Sequence, residues 1–277
     1  KYKEFSFRIG GKKMISLKNK FESLKKNNEK ALVGFVTAGD PNPEISIDIV
    51  LAMAENGVDI IELGIPFSDP TADGPVIQKS SERAIKAGTN LEKVFEMTKK
   101  IRQKTNVPIV LFTYYNPVLR FGEKKFCEKS LECGANGVLI VDLPFEEKSL
   151  ISDFDPEKFP KINLAAPTTS DERLEKISKN SSGFIYLVSK TGITGSAGLD
   201  PELTKKDFAR IRKYTDTPVC IGFGIKTNED ARNISEFADG VVIGSAFESL
   251  IEENSDKKNL VEIIGKRAGE YKKQTRF

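Results

Sequence analysis

The sequence contains no histidine. That excludes Ser–His and Cys–His nucleophile pairs and every His-ligated metal site. Any acid–base chemistry must use carboxylates, tyrosine, lysine or water. Tryptophan is also absent, which excludes nothing by itself. Cysteine is scarce. Cys127, Cys133 and Cys220 are odd in number and widely spaced, without CxxC or zinc spacing. They argue against a disulfide framework and for a reducing compartment, with the thiols buried. No apolar run approaches the roughly 18 residues of a membrane helix. The first apolar residues are scattered among lysines, unlike a signal peptide. Neither sign of charge dominates: 43 basic residues face 40 acidic ones, a net charge of +3. Neither nucleic acid nor a membrane is therefore an expected partner.

What is present is a long β-rich series in a chain of 277 residues, 39% of them hydrophobic. That is enough for a sizeable core. Residues 1–13, KYKEFSFRIGGKK, fit no element well and read as a poorly ordered extension, with Met14 the expected natural start. Met14, Leu17, Phe21 and Leu24 follow helical spacing, so an N-terminal helix with one packed face is expected. Eight short runs follow: ALVGFVT (31–37), VDIIELGI (58–65), VPIVLFTY (107–114), GVLIVDL (137–143), KINLAAP (161–167), GFIYLVS (183–189), PVCIGFG (218–224) and GVVIGSA (240–246). Amphipathic helical patterns fill most of the gaps. Near-continuous apolar strands alternating with helices imply a parallel sheet covered on both faces. Eight such units predict an α/β protein, a (β/α)₈ TIM barrel with an extra N-terminal helix, as one domain over 14–277. A doubly wound open sheet is the alternative. It would want a glycine-rich fingerprint after the first strand, where TAGDPNP stands instead.

The stretch IELGIPFSDPTADGP (61–75) carries the chemistry. Alternation along its strand puts Ile61, Leu63 and Ile65 toward the helices, and Ile60, Glu62 and Gly64 toward the lumen. Glu62 then points into the barrel near the C-terminal end of its strand, where barrel enzymes act. Desolvation there raises a carboxyl pKa toward neutrality and prepares it for proton transfer. The competing reading is a buried ion pair, but no lysine lies within the eight runs. In the proline-stiffened loop beyond, Asp69 suits a capping role, and Asp73 suits either a cap or catalysis.

Three late strand–helix junctions are glycine-rich: SKTGITGSAG (189–198), IGFGIKT (221–227) and IGSAFES (243–249). Glycines let backbone N–H groups approach a ligand, and a helix starting at Ser245 would aim its N-terminus at the same corner. Barrel phosphate sites commonly form there. Phe35, Phe112 and Phe223 suit a hydrophobic substrate portion, and core packing accounts equally well for each.

ELGIPFSDPTADGP closely resembles the signature of the tryptophan synthase alpha subunit family. The resemblance continues in order through FVTAGDP (35–41), FTYYNPV (112–118), VDLPFEE (141–147), APTT (166–169), YLVSKTGITG (186–195), GFGI (222–225) and IGSA (243–246). It covers residue 14 to the end. It implies retro-aldol cleavage of indole-3-glycerol phosphate to indole and glyceraldehyde 3-phosphate, by a carbon–carbon lyase of L-tryptophan biosynthesis. The family's catalytic glutamate falls on Glu62 and its aspartate on Asp73, which would bond the indole N–H. Tyr186 matches the active-site tyrosine, and Thr194 and Gly195 the closing loop. Gly224, Gly244 and Ser245 match the phosphate site, and Phe35, Phe112, Leu139 and Phe223 the indole pocket. The chain would hold no cofactor. The resemblance also implies a beta subunit carrying pyridoxal phosphate, in an alpha2-beta2 heterotetramer of the cytoplasm or a plastid stroma. The proline-rich loop and FTYYNPVLRFG are the expected interface. Thr71 and Phe145 depart from the family's usual leucine and proline.

Three rival functions remain on the sequence. Lys190, at the end of the sixth run, could serve a Schiff-base aldolase. The chain could be an inactive allosteric partner, against which Glu62 and Asp73 both stand intact. It could also be a stand-alone lyase that releases free indole.

Overall fold

The computed structural model describes residues 8–9, 12–147, 151, 154–189 and 200–277. Eight parallel strands close into a barrel: β1 Ala31–Thr37, β2 Ile60–Gly64, β3 Ile109–Thr113, β4 Gly137–Ile140, β5 Lys161–Ala165, β6 Ile185–Val188, β7 Val219–Gly222 and β8 Gly240–Ile243. Each pairs with its sequence neighbours, and β8 returns to β1. All eight predicted runs are strands, each within its apolar run. The open-sheet alternative is excluded by this closure.

The helices are α1 Leu17–Lys26, α2 Pro43–Glu55, α3 Pro75–Lys86, α4 Leu91–Lys104, α5 Tyr115–Phe121, α6 Glu123–Cys133, α7 Asp171–Lys179, α8 Pro201–Arg212, α9 Asn228–Ser235, α10 Ser245–Asn254 and α11 Leu260–Gln274. Several of their N-termini are capped by local chemistry. Asn42, Asn90, Ser170, Asp200 and Thr227 each accept a backbone N–H from the first turn, satisfying donors a helix cannot pair internally. Between β4 and β5 the described residues form turns and no α-helix. The β4–β5 pairing is correspondingly short, with two register pairs. Arg8–Ile9 and Lys12–Lys13 form a small antiparallel ribbon that the sequence did not announce.

Side chains divide into two cores. The outer one, between strands and helices, holds Ile61, Leu63 and Ile65. The inner one holds Ile60, Val110, Leu139, Ile162, Tyr186, Cys220 and Val242. Period-two alternation along β2 is thus realised as read. The inner core also takes Leu17, Phe21 and Leu24 of α1. The Phe21 and Phe184 rings meet at 6.0 Å. So the packed face of α1 plugs the N-terminal end of the barrel, leaving the C-terminal end for chemistry.

At the plugged end one device recurs. Asp59, Asn136 and Asp239 each stand one residue before a strand. Each accepts through its side chain from a backbone N–H at the start of the preceding strand: Leu32, Ile109 and Val219, all at 2.9 Å. A cation then grips each acceptor. Lys272 Nζ reaches Asp59 at 2.8 Å, Arg102 Nη2 reaches Asn136 at 2.9 Å, and Arg212 pairs with Asp239. Arg102 meets no carboxylate among the described residues; it is held by the carbonyls of Gly134, Thr105 and Val107. Burial pushes its pKa down to about 10, so it stays charged at neutral pH.

Lys272 is only 4% exposed and also pairs with Glu29 Oε2 at 2.7 Å. Lys272→Met is expected to cost about 2 kcal/mol, because it removes the nearest cation from two carboxylates, one of them buried, and leaves them Lys20 at 3.6 Å and Arg276 at 3.3 Å. The urea midpoint should fall while kcat holds, since the lysine lies at the end remote from the mouth. An unchanged midpoint would show the clamp contributes nothing net.

Candidate active site

Glu62 enters the lumen from β2, flanked in register by Phe35 of β1 and Val110 of β3. It is 1% exposed, and neither carboxyl oxygen has a hydrogen-bond partner among the described residues. The buried-ion-pair reading therefore fails. Burial alone raises its pKa to about 8. A carboxyl so placed is neutral at pH 7 and can donate a proton.

Asp73 reaches the same mouth from the loop after β2. Burial raises its pKa to about 6, opposed by a hydrogen bond from Tyr114. Tyr114 Oη donates to Asp73 Oδ2 at 3.0 Å and accepts from Ala72 N at 2.9 Å. One hydroxyl thus fixes both the carboxylate and the loop backbone beside it. The Tyr114 ring lies 5.3 Å from that of Phe67, on the same loop. On the sequence Tyr114 has a place in the expected interface segment and none in the chemistry. Its position just past the end of β3, on the active face, was the available signal.

Asp69 stands at a turn rather than at a helix start: its carbonyl accepts from Thr71 N at 2.9 Å, its carboxylate accepts from the hydroxyl of Ser68 at 2.6 Å, and α3 has Gly74 at its N-cap without a side-chain cap. The Pro75 ring at the first helical position supplies the helical φ instead.

Tyr186 lies close to both carboxyls. It is buried, and its pKa stands well above the ordinary value through burial first, then the charges of Glu62, Cys220 and Asp73. The Phe35 and Phe112 rings meet edge to face at 5.2 Å. Phe112 and Phe223 pack on the inner core beside Leu139. Gly64 makes room for this wall, since a Cβ there would lie 2.7 Å from Phe35 Cζ. Gly222 does the same for Tyr186: a Cβ would lie 2.1 Å from its Oη. Gly222→Ala is therefore expected to displace the tyrosine and raise KM severalfold, at a stability cost of about 1–3 kcal/mol for overpacking. Steady-state kinetics and a urea titration check it; wild-type KM would show that Tyr186 does not border the substrate.

At the far strands, Phe223 and Gly224 both have positive φ, +78° and +79°. A non-glycine residue held there stores strain, which persists where surrounding structure imposes it. Ser189 Oγ donates to the Phe223 carbonyl at 2.5 Å and helps to impose it. A Cβ on Gly224 would meet nothing within 4 Å, so its backbone borders open space. Nearby, α10 begins at Ser245 after Gly244, with no side chain capping its first turn. Phe247 and Glu248 donate back to the Gly244 carbonyl, and the two N–H groups before them are left for another acceptor. Thr194, Gly195 and Lys190 lie outside the described residues. Among the described residues no group of three or more His, Cys, Asp or Glu side chains is arranged to hold a metal ion.

A closed parallel barrel with a neutral carboxyl buried in its lumen defines an acid–base barrel enzyme. The family described as "Tryptophan synthase alpha chain" matches residues 21–276. A tryptophan synthase alpha chain of Desulfatibacillum aliphaticivorans is 54% identical over 264 residues, covering 95% of this chain and 100% of the relative. One from Desulfosudis oleivorans is 52% identical, covering 93% and 97%. Among solved structures, tryptophan synthase subunit alpha from Legionella pneumophila superposes with TM-score 0.86 at 34% identity, covering 94% of this chain and 97% of that one. A Mycobacterium tuberculosis tryptophan synthase structure gives 0.84 at 31%, covering 95% and 99%. The chain belongs to the tryptophan synthase alpha chain family. It is a carbon–carbon lyase that cleaves indole-3-glycerol phosphate.

Proposed function

We propose that Glu62 moves the proton in this cleavage and that Asp73 holds the indole ring. The reading rests on one observation: a fully buried carboxyl, without a hydrogen bond from any described residue, at the mouth of the barrel. The neutral Glu62 donates its proton to indole C3, and the ring nitrogen takes up the resulting positive charge. Asp73, ionised, accepts a hydrogen bond from the N–H and stabilises that charge. The C3–glycerol bond then breaks, its electron pair restoring the indole ring. The glycerol hydroxyl loses its proton to the Glu62 carboxylate and becomes the aldehyde of glyceraldehyde 3-phosphate. The proton count balances, and Glu62 ends as it began.

Phe35, Phe112, Leu139 and Phe223 would enclose the indole, with Tyr186 at its edge. Gly224, Gly244 and Ser245 would seat the phosphate on the open first turn of α10. Thr194 and Gly195 would belong to the loop that closes over the substrate.

The proposed partner is a tryptophan synthase beta subunit, in an alpha2-beta2 heterotetramer that passes indole between sites. Pyridoxal phosphate would belong to that subunit. Leu119 in α5, 56% exposed, supports the proposed interface. So does the proline-stiffened loop 66–75 beside it, joined by the Tyr114–Asp73 bond. No helix among the described residues is long and apolar enough to cross a membrane. We place the reaction in the cytoplasm or a plastid stroma, supported by three free, buried thiols.

Indole release from indole-3-glycerol phosphate, measured with and without a beta subunit, tests the partner. Turnover should rise with the partner, and the two should co-elute on gel filtration. Unchanged turnover and separate elution would make the chain a stand-alone lyase.

A further inference from the structure

Glu248 lies in the first turn of α10 and is 0% exposed. Its Oε1 accepts from Thr37 N at 2.5 Å. Its Oε2 finds no donor among the described residues. What the carboxyl faces is the carboxylate of Asp40, in the turn between β1 and α2. Asp40 is itself gripped by Arg83 of α3, through bonds of 2.8 and 2.7 Å. Two carboxylates in contact in a dry interior do not both ionise. Arg83 donates to both oxygens of Asp40, which leaves the Glu248 carboxyl as the member of the pair placed to carry a proton toward Asp40. Burial first, and then the Asp40 charge, hold the Glu248 carboxyl well above its ordinary range.

The other charged groups nearby fit this assignment. Glu252, one turn along α10, takes Arg83 Nη1 at 3.5 Å and Lys79 Nζ at 3.4 Å. From α11 the neighbouring side chain is Tyr271, whose ring packs on Phe247 at 5.6 Å rather than offering a charge. The network also reaches the catalytic loop. Thr37 Oγ1 and Ser80 Oγ share a hydrogen bond of 2.7 Å. Ser80 and Arg83 both belong to α3, which starts two residues after Asp73.

We propose that Glu248 and Asp40 share one proton and form a latch holding the first turn of α10 in register with α3. The latch sets the phosphate seat at a fixed distance from the loop that carries Asp73. Glu248 is a positioning residue: it touches no substrate and acts through the backbone of α10 and β1. This inference rests on the phosphate reading of α10 given above.

The test compares the full-length wild type with Glu248→Gln and Glu248→Met. Inorganic phosphate binding is measured by calorimetry where every variant is fully folded, alongside cleavage kinetics. Glutamine keeps both contacts, accepting from Thr37 N and donating to Asp40. It should leave the phosphate Kd and the KM within about twofold of wild type, since no buried hydrogen bond is lost. Methionine keeps the volume and loses both contacts. It should weaken phosphate and raise KM about tenfold, the scale of one buried bond left unmade, with a smaller change in kcat. A methionine variant with wild-type Kd and only a lower Tm would reduce the pair to packing. A glutamine variant as impaired as methionine would show that charge matters, not a shared proton. Infrared difference spectra between wild type and Glu248→Gln need no impaired variant. They should show a carboxylic-acid band lost at neutral pH, and its absence overturns the proposal. A wild type that fails to bind phosphate would overturn the seat, while the infrared band still reports the proton.

Discussion

Glu62→Gln should lower kcat for indole release by roughly 10²–10⁴-fold, the usual contribution of a positioned acid–base group. Glutamine fills the same space and is neutral, as Glu62 is at pH 7, so binding should change little. What it lacks is a transferable proton. The same substitution should alter stability in a way a merely structural residue would not. The native carboxyl titrates at about 8, against 4.5 for an unperturbed glutamate. Between those values the native state keeps a proton that the unfolded chain has lost. Native stability therefore falls as pH rises from about 4.5 to about 8 and levels off beyond, the whole span being on the order of 5 kcal/mol. Glutamine does not titrate. The variant should gain on wild type as pH rises, measured by urea unfolding from pH 5 to 9. A kcat near wild type would end the catalytic assignment, and parallel stability curves would end the account of its burial.

Asp73→Asn should cost roughly 10²–10³-fold in kcat/KM, the scale of losing one electrostatic stabiliser of the transition state. Its pH signature is specific. The mechanism needs Asp73 ionised, above about 6, and Glu62 protonated, below about 8. The profile of kcat/KM should be a bell between those limbs. The substrate phosphate also titrates near pH 6, as phosphate monoesters do, so the acid limb alone does not identify Asp73. The variant separates the two: asparagine should lower the plateau and remove the Asp73 share of the acid limb. An acid limb unchanged in shape and midpoint would assign it to the substrate.

How much of this was legible depends on which physical effect wrote the signal. The strands were plain because both faces of a parallel barrel are buried, which forces apolar runs such as ALVGFVT. Glu62 was legible for the same reason, as a charge interrupting such a run at a lumen position. Helix α1 showed its packed face through Leu17, Phe21 and Leu24, but nothing local says that the face fills the barrel's end. Asp69 before Pro70 was legible as a turn, and a turn follows it, but that its carboxylate would be taken by the neighbouring Ser68 was not. Glu248 was hidden in plain view. It follows Phe247 and stands three residues before Ile251, so the inward face of α10 includes it. That its partner would be Asp40, over two hundred residues away, is tertiary information.

The three stitches at the plugged end carry a consequence for how the chain finds this fold. Asp59–Leu32, Asn136–Ile109 and Asp239–Val219 span 27, 27 and 20 residues. Each closes a short loop, so its entropic cost is met early and locally. They fall on the pairs β1–β2, β3–β4 and β7–β8. The Lys272–Asp59 bond spans 213 residues. Folding should then run in two tempos, with two-strand units forming fast and the ring closing last, when α11 arrives to seat Lys272. The β5–β6 pair has no such stitch among the described residues, and β4–β5, with two register pairs, is as short as β7–β8 but lacks its stitch. Pulsed amide exchange during refolding should see protection there late, with the active-site mouth complete only after the slowest unit joins.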